Sequence, residues 1–350
     1  MAKLSDLKLA MGTSIFIAAF IFGIFLFAII YILQFDVVTS LVIGLIGVGL
    51  FILLQYLIGP AIVASTTRLR YLKSGENPWL ESTVKELVDK SGLPMPKLAI
   101  VPNNTPNAFT FGRTSSGATL ALHEGLLKNL NEDEVKGVIA HELGHIKHKD
   151  YIVMTVLSAL PLIAYIIAQT ALRAGMYSSY SRGRNKEGNA GVALIAIGVI
   201  SFIVYMVSFL SVMRLSRLRE HYADAYSAYV TGSPRSLESA LTKITYGLSL
   251  APHPEKDGAR TLYIGDPAMA KLEVQSIVDK KEQYDLDKDG VLDERELELA
   301  MEKEAKSGWL TVNRWFQTHP ATFQRVLLLR EIENEMATGT YSDKRVYAHV

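Results

Sequence analysis

Cysteine is absent from all 350 residues, which removes disulfides, thiolate metal ligands and cysteine nucleophiles while leaving the compartment open. An excess of one charge is missing too. The 36 Lys and Arg stand against 35 Asp and Glu without a long run of either sign, so neither a nucleic-acid footprint nor a strongly acidic partner is indicated. Charge of any kind is scarce: 20% of residues are charged and 49% hydrophobic, more apolar than one soluble domain needs.

The apolar surplus is gathered into four blocks, at about 11–33, 37–58, 151–172 and 191–213. The first two carry no ionised residue except Asp36 between them, over the roughly 20 positions that a bilayer core demands, and read as a transmembrane hairpin with an uncleaved anchor. The later two include Ser158, Pro161, Gln169, Ser201 and Ser208, which suits helices that face other helices or a polar cavity. Lys3, Lys8, Arg68, Arg70 and Lys73 flank the hairpin and place both its ends in the cytoplasm. The loop with Arg173, Arg182, Arg184 and Lys186 works against the same rule: either the third and fourth blocks span despite it, the reading adopted, or they stop short of crossing.

Between blocks two and three lies a soluble stretch. A helix is expected over 82–91, ended by Gly92, and strands over 97–101, 107–112 and 118–122, which predict a small antiparallel sheet. A further helix opens at Asn131, with Glu132, Asp133 and Glu134 in its first turn as caps, and is expected to run unbroken into the third block. On it stand His141, Glu142 and His145. At a spacing of four, the two imidazoles lie one above the other and can share one metal ion, with Glu142 beside them as a base.

The fourth block continues into Arg217-Leu218-Arg219-Glu220-His221-Tyr222-Ala223-Asp224. If blocks three and four are antiparallel neighbours, Glu220 comes level with His145 as a third ligand, and Asp224, one turn on, can orient an imidazole from behind. A metal held by three side chains keeps a position for water and substrate, the arrangement of hydrolytic zinc.

These two motifs, with Asn107-Ala108-Phe109 ahead of them and Thr318-His319-Pro320 and Arg325 behind, resemble the membrane-bound gluzincin peptidases of the HtpX heat-shock type, relatives of CAAX prenyl proteases. The resemblance covers most of the chain. It implies that His141, His145 and Glu220 bind zinc and that Glu142 is the base. It further implies that Asp224 supports a histidine ligand, that Asn107, Ala108 and Phe109 bind substrate backbone, and that His319 and Arg325 stabilise the oxyanion.

One stretch departs from that family's pattern. Asp285, Asp287, Asp289, Val291, Asp293 and Glu296 occupy the ligand positions of an EF-hand calcium loop, with Gly290 at its tight turn and helical sequence on both sides. Calcium is therefore expected as a second metal beside zinc.

The expectation is an α+β, mainly α, integral membrane protein with about four transmembrane helices and a cytoplasmic, zincin-like metalloprotease domain at the plasma membrane. Its parts are a hairpin (1–60), the strands and histidine helix (61–150), two membrane helices (151–213), the glutamate helix (214–265), the acidic insertion (266–309) and the end of the protease domain (310–350). The activity expected is zinc-dependent cleavage of misfolded or damaged membrane proteins. A prenyl-protein peptidase and a non-catalytic calcium-responsive scaffold are the alternatives; the four apolar blocks are few for the first, and Glu142 has no purpose in the second.

Overall fold

The computed structural model describes residues 36–180, 188–249, 264–265, 267–288 and 319–341, with isolated positions between and beyond them. The first apolar block lies almost wholly outside those residues. Helices are α1 (Val37–Thr67), α2 (Pro78–Ser91), α3 (Glu124–Asn129), α4 (Glu132–His148), α5 (Asp150–Tyr180), α6 (Gly188–Thr231), α7 (Pro234–Ser249), α8 (Pro267–Asp279), α9 (Lys281–Tyr284) and α10 (Thr322–Ala337). Strands are β1 (Arg70–Tyr71), β2 (Lys97–Val101), β3 (Ala108–Phe111) and β4 (Thr119–His123). The chain divides into two compact units, one from 60–151 and 216–350, the other from 8–59 and 152–215.

In the second unit, glycines let α5 and α6 approach closely. A Cβ on Gly175 would stand 2.7 Å from Ile195 Cγ1, and one on Gly198 would stand 2.6 Å from Leu172 Cγ. With Tyr165 and Tyr205 ring to ring at 5.3 Å, the two helices run antiparallel, as the third-ligand argument required. Among the described residues three helices are long and apolar enough to cross a membrane: Ile46–Thr67, Asp150–Ser178 and Gly191–Thr231. They take in the second, third and fourth apolar blocks; the first lies almost wholly outside the described residues.

In the first unit the sheet runs β1-β2-β4-β3, and here the structure corrects the expectation: it is mixed, with β2 parallel to β4. The β3–β4 hairpin does form, Phe109 facing Ala121. The link from Val101 carries Pro102 and Pro106, takes the chain past the neighbouring position to the far edge, and so β4 returns beside β2. Alternation along the strands then divides the side chains between two cores. Leu98, Ala108, Leu120 and Leu122 join α2, α4, α7 and α10 in the main core, whereas Ala99, Val101, Phe109, Phe111 and Ala121 pack with Val63 and Ala64 of α1.

Two helix boundaries differ from the sequence reading. Asn77 caps α2, its side chain accepting from Leu80 N, so that helix begins at Pro78, a residue suited to a first turn. More consequential is the end of α4. Instead of running on, the chain breaks at Lys149, which takes the left-handed conformation (φ 59°), and α5 starts afresh at Asp150.

Candidate metal and active site

The site assembles on α4 and α6. Asn131 and Glu134 close a reciprocal capping box at the start of α4. Glu134 also accepts from Ser239 and Lys243 of α7, which ties the helix to its neighbour. Gly137 and Gly144 set the approaches on either side. A Cβ on Gly137 would lie 2.8 Å from Leu237 N, and one on Gly144 would lie 3.1 Å from Ala223 Cα. Ser227 Oγ of α6 donates to Gly137 O at 2.7 Å, so α4 and α6 are also bonded directly.

At this crossing His141 Nε2 and His145 Nε2 stand 3.2 Å apart, and the Glu220 carboxylate lies 3.5 Å from each. Donor atoms bound about 2.0–2.1 Å from a tetrahedral ion are themselves about 3.3 Å apart, so this triangle has the size of one face of such a polyhedron. The outer nitrogens support the same conclusion. His141 Nδ1 is 2.9 Å from Asp224 Oδ1 and His145 Nδ1 is 2.6 Å from Asp150 Oδ2, contacts that favour a proton on each Nδ1. Two Nε2 lone pairs then face each other, an arrangement that calls for a cation between them. Glu220 Oε2 and Glu142 Oε2 are buried without a hydrogen-bond partner.

Charge points the same way. Four carboxylates, of Glu142, Asp150, Glu220 and Asp224, are buried with two guanidiniums, of Arg219 and Arg325, none more than 6% exposed. The deficit is two positive charges, the amount one divalent cation supplies. The groups on α4 otherwise meet it with protons. Burial resists charge on His141, but the Asp224 and Glu220 carboxylates beside it prevail and push it up to about 9. Burial raises Glu142 to about 7, with His141 opposing and Glu220 reinforcing. The residues present therefore fit a divalent metal with nitrogen and oxygen ligands.

The remaining expected residues fall as follows. Asp224 holds Arg325 by two bonds, from Nε at 2.9 Å and Nη2 at 2.7 Å, while Arg325 Nη1 donates to Ile264 O at 2.6 Å. His319 is buried with Nε2 3.8 Å from Glu220 Oε1. Asn107 receives Ala108 N and Ile264 N at 3.0 Å each, and Ile264 N also donates to Ala108 O at 3.0 Å. Phe109 is buried in the smaller core. In the acidic run, Asp285, Asp287 and Glu296 bring carboxylate oxygens within 4.8 Å of one another. Asp289, Val291 and Asp293 lie outside the described residues. His123 and His148, outside the candidate site, are buried, His123 against Thr105 O and His148 against the Tyr347 hydroxyl.

Two buried charges at the site escaped the sequence reading. Asp150 contacts His145, and Arg219 Nη2 lies 2.6 Å from Asp150 Oδ1. The available signal was a lone acid opening an otherwise uncharged apolar block, five residues after His145.

Two helices that present a His-Glu-x-x-His pair and a glutamate around one metal-sized gap, with a buried acid beside it, define a metallopeptidase. The chain belongs to peptidase family M48, whose model matches residues 74–333. It is 39% identical over 202 residues to a protease HtpX homolog of Aeropyrum pernix, an alignment that spans 58% of this chain and 62% of that relative. The chain thus covers less than two thirds of the Aeropyrum relative's length. A homolog of the same description from Thermococcus kodakarensis is 32% identical over 283 residues, 81% of this chain and 83% of the relative. Ste24p of S. mikatae is a looser structural likeness, with a TM-score of 0.49 and 17% identity over 94% of this chain and 67% of that one.

Proposed function

We propose that the chain is a membrane-bound, zinc-dependent endopeptidase that cleaves segments of misfolded or damaged membrane proteins, with its site on the cytoplasmic side. The observation that carries this reading is the convergence of His141, His145 and Glu220 beside the buried, unpartnered oxygen of Glu142. His141 Nε2, His145 Nε2 and Glu220 would hold zinc. Zinc in such a set polarises a carbonyl and acidifies water.

The chain's own residues do the rest. Glu142, brought to about 7 by burial, is poised to accept a proton from water near neutrality and return it to a leaving amine. Asp224 orients His141, and Arg325, with its donors engaged by Asp224 and Ile264 O, holds that carboxylate in place. This supports a positioning part for Arg325. His319, next to Glu220, is the remaining donor for a developing oxyanion. β3 is an edge strand and suits backbone pairing with an extended substrate, although a chain added at Ala108 would compete with Ile264 for its carbonyl.

The membrane assignment rests on the apolar helices, since α6 carries an apolar stretch and Glu220 in one continuous run. The side rests on Arg68, Arg70 and Lys73. The test is proteolysis of an unfolded membrane protein by the purified full chain, with and without a zinc chelator, beside Glu142→Gln. Loss of cleavage on chelation and in the variant is expected; a glutamine variant that cleaves as fast as wild type would sink the mechanism.

A further inference from the structure

We infer that Asp150 and Arg219 are positioning residues for the second metal histidine, forming an arm Arg219–Asp150–His145 that mirrors the arm Arg325–Asp224–His141. This rests on the zinc reading above.

The two arms share their order of groups and differ at the arginine: Arg325 donates two hydrogen bonds to Asp224, whereas Arg219 meets Asp150 Oδ1 as a close ion pair outside hydrogen-bond geometry. In each, a buried arginine pairs with a buried aspartate, and the aspartate contacts the Nδ1 of a histidine whose Nε2 faces the metal gap. On one side the distances are 2.7 Å (Arg325 Nη2 to Asp224 Oδ1) and 2.9 Å (Asp224 Oδ1 to His141 Nδ1). On the other they are 2.6 Å (Arg219 Nη2 to Asp150 Oδ1) and 2.6 Å (Asp150 Oδ2 to His145 Nδ1). Asp150 Oδ2 is hydrogen-bonded to His145 Nδ1, and its other oxygen faces the Arg219 guanidinium as an ion pair. It can therefore fix the ring plane of His145 and select the tautomer that leaves Nε2 free for metal.

Three local features make this arm more than a chance contact. Asp150 is the first residue of α5, where the helix dipole favours a carboxylate. The left-handed turn at Lys149 ends α4, and Asp150 beyond it lies against His145 in that helix's last turn. Arg219 is 2% exposed and directly precedes Glu220, so one turn of α6 supplies both a metal ligand and the partner that makes burial of Asp150 tolerable. Both arginines are also needed for the charge balance of the cluster. Without Arg219 the buried acids would exceed the arginines and a dication by one.

The test uses the detergent-purified full chain. Zinc affinity is measured by chelator competition, and the visible spectrum of the cobalt-loaded protein reports ligand geometry. Asp150→Asn, which keeps the shape and removes the charge, is expected to weaken zinc binding about 10- to 100-fold and to shift the cobalt bands. Asp150→Glu should restore part of both. Arg219→Lys should weaken binding less, and combined with Asp150→Asn it should add little, because both act through the same imidazole. Zinc affinity for Asp150→Asn within about twofold of wild type, with unchanged cobalt bands, overturns the inference, as does full additivity of the two losses. Should Asp150→Asn fail to fold, Asp150→Glu and Arg219→Lys decide: displaced bands in either support the arm, and unchanged bands and affinity in both overturn it. Wild type that binds neither metal, or His145→Ala that binds as wild type does, would instead remove the zinc reading itself.

Discussion

Gly144 offers the sharpest probe of how the helix crossing sets the metal site. Replacing it by alanine places a methyl 3.1 Å from Ala223 Cα, 3.2 Å from Tyr226 Cδ1 and 3.3 Å from Ala223 Cβ. Carbon atoms rest at about 3.5 Å or more, so α4 and α6 must part by roughly 0.4 Å. Metal sites tolerate about 0.2 Å in ligand distance, and Glu220 lies only one turn from Ala223, so the separation exceeds what the triangle of donors can absorb. Overpacking costs about 1–3 kcal/mol, while alanine in a helix interior returns about 0.5–1 kcal/mol over glycine. The metal-stripped protein should thus lose little, about 0.5–2 kcal/mol. Zinc affinity should fall by about tenfold or more, about 1.4 kcal/mol per decade. Thermal unfolding with and without saturating zinc separates the two effects: Gly144→Ala should shrink the rise in Tm that zinc produces. A zinc-dependent rise equal to that of wild type would show that this approach of the helices does not set the ligand geometry.

Zinc uptake by the stripped protein at pH 7 should release about 1.5 protons, one from His141 at about 9 and part of one from Glu142 at about 7. Calorimetry in two buffers of different ionisation enthalpy measures the number, which should fall as pH rises past 9; heats independent of buffer refute the charge-balance argument. Against the pull of burial, Lys243, Ser239 and the Asn131 amide hold Glu134 below its ordinary 4.5, so its stabilisation is present above that pH and fades as pH falls below it. Glu134→Gln should therefore lose about 1–2 kcal/mol at pH 7 and progressively less in acid; a loss that does not vary with pH contradicts the pairing. Calcium titration of the full chain tests the acidic run at 285–296. Absence of binding at about millimolar calcium ends the EF-hand expectation.

What could be read in the sequence was whatever depends on spacing along a regular element. His141 and His145 meet because a helix stacks residues four apart, and Glu220 and Asp224 follow the same rule on α6. Asn131 capped α4 as its side chain predicts. The misses arose where one residue takes an uncommon conformation or a loop chooses among neighbours. Lysine at position 149 gives no sign of a left-handed turn, since glycine or asparagine is the usual occupant, and without that turn Asp150 points nowhere near His145. The hairpin turn after Phe111 was visible, yet nothing local told which edge β2 would join, and the parallel pairing of β2 with β4 followed from tertiary packing. Pro60 sits inside α1, where a break would be expected in water and an apolar helix continues regardless.

The turn at Lys149 also separates two kinds of spacing in this chain. The interval from His145 to Asp150 behaves as a ruler: one inserted residue would rotate Asp150 by about 100° around the helix and take its carboxylate off the imidazole. The interval from Asp150 to Arg219 behaves as a slack cord, because α5 and α6 can lengthen together and still return the glutamate to the same crossing. Insertions and deletions should therefore be tolerated in the second interval and excluded from the first. A search for further chains with this site would do better to hold His-Glu-x-x-His-x-x-x-x-Asp and Arg-Glu-x-x-x-Asp rigid and leave the distance between them free.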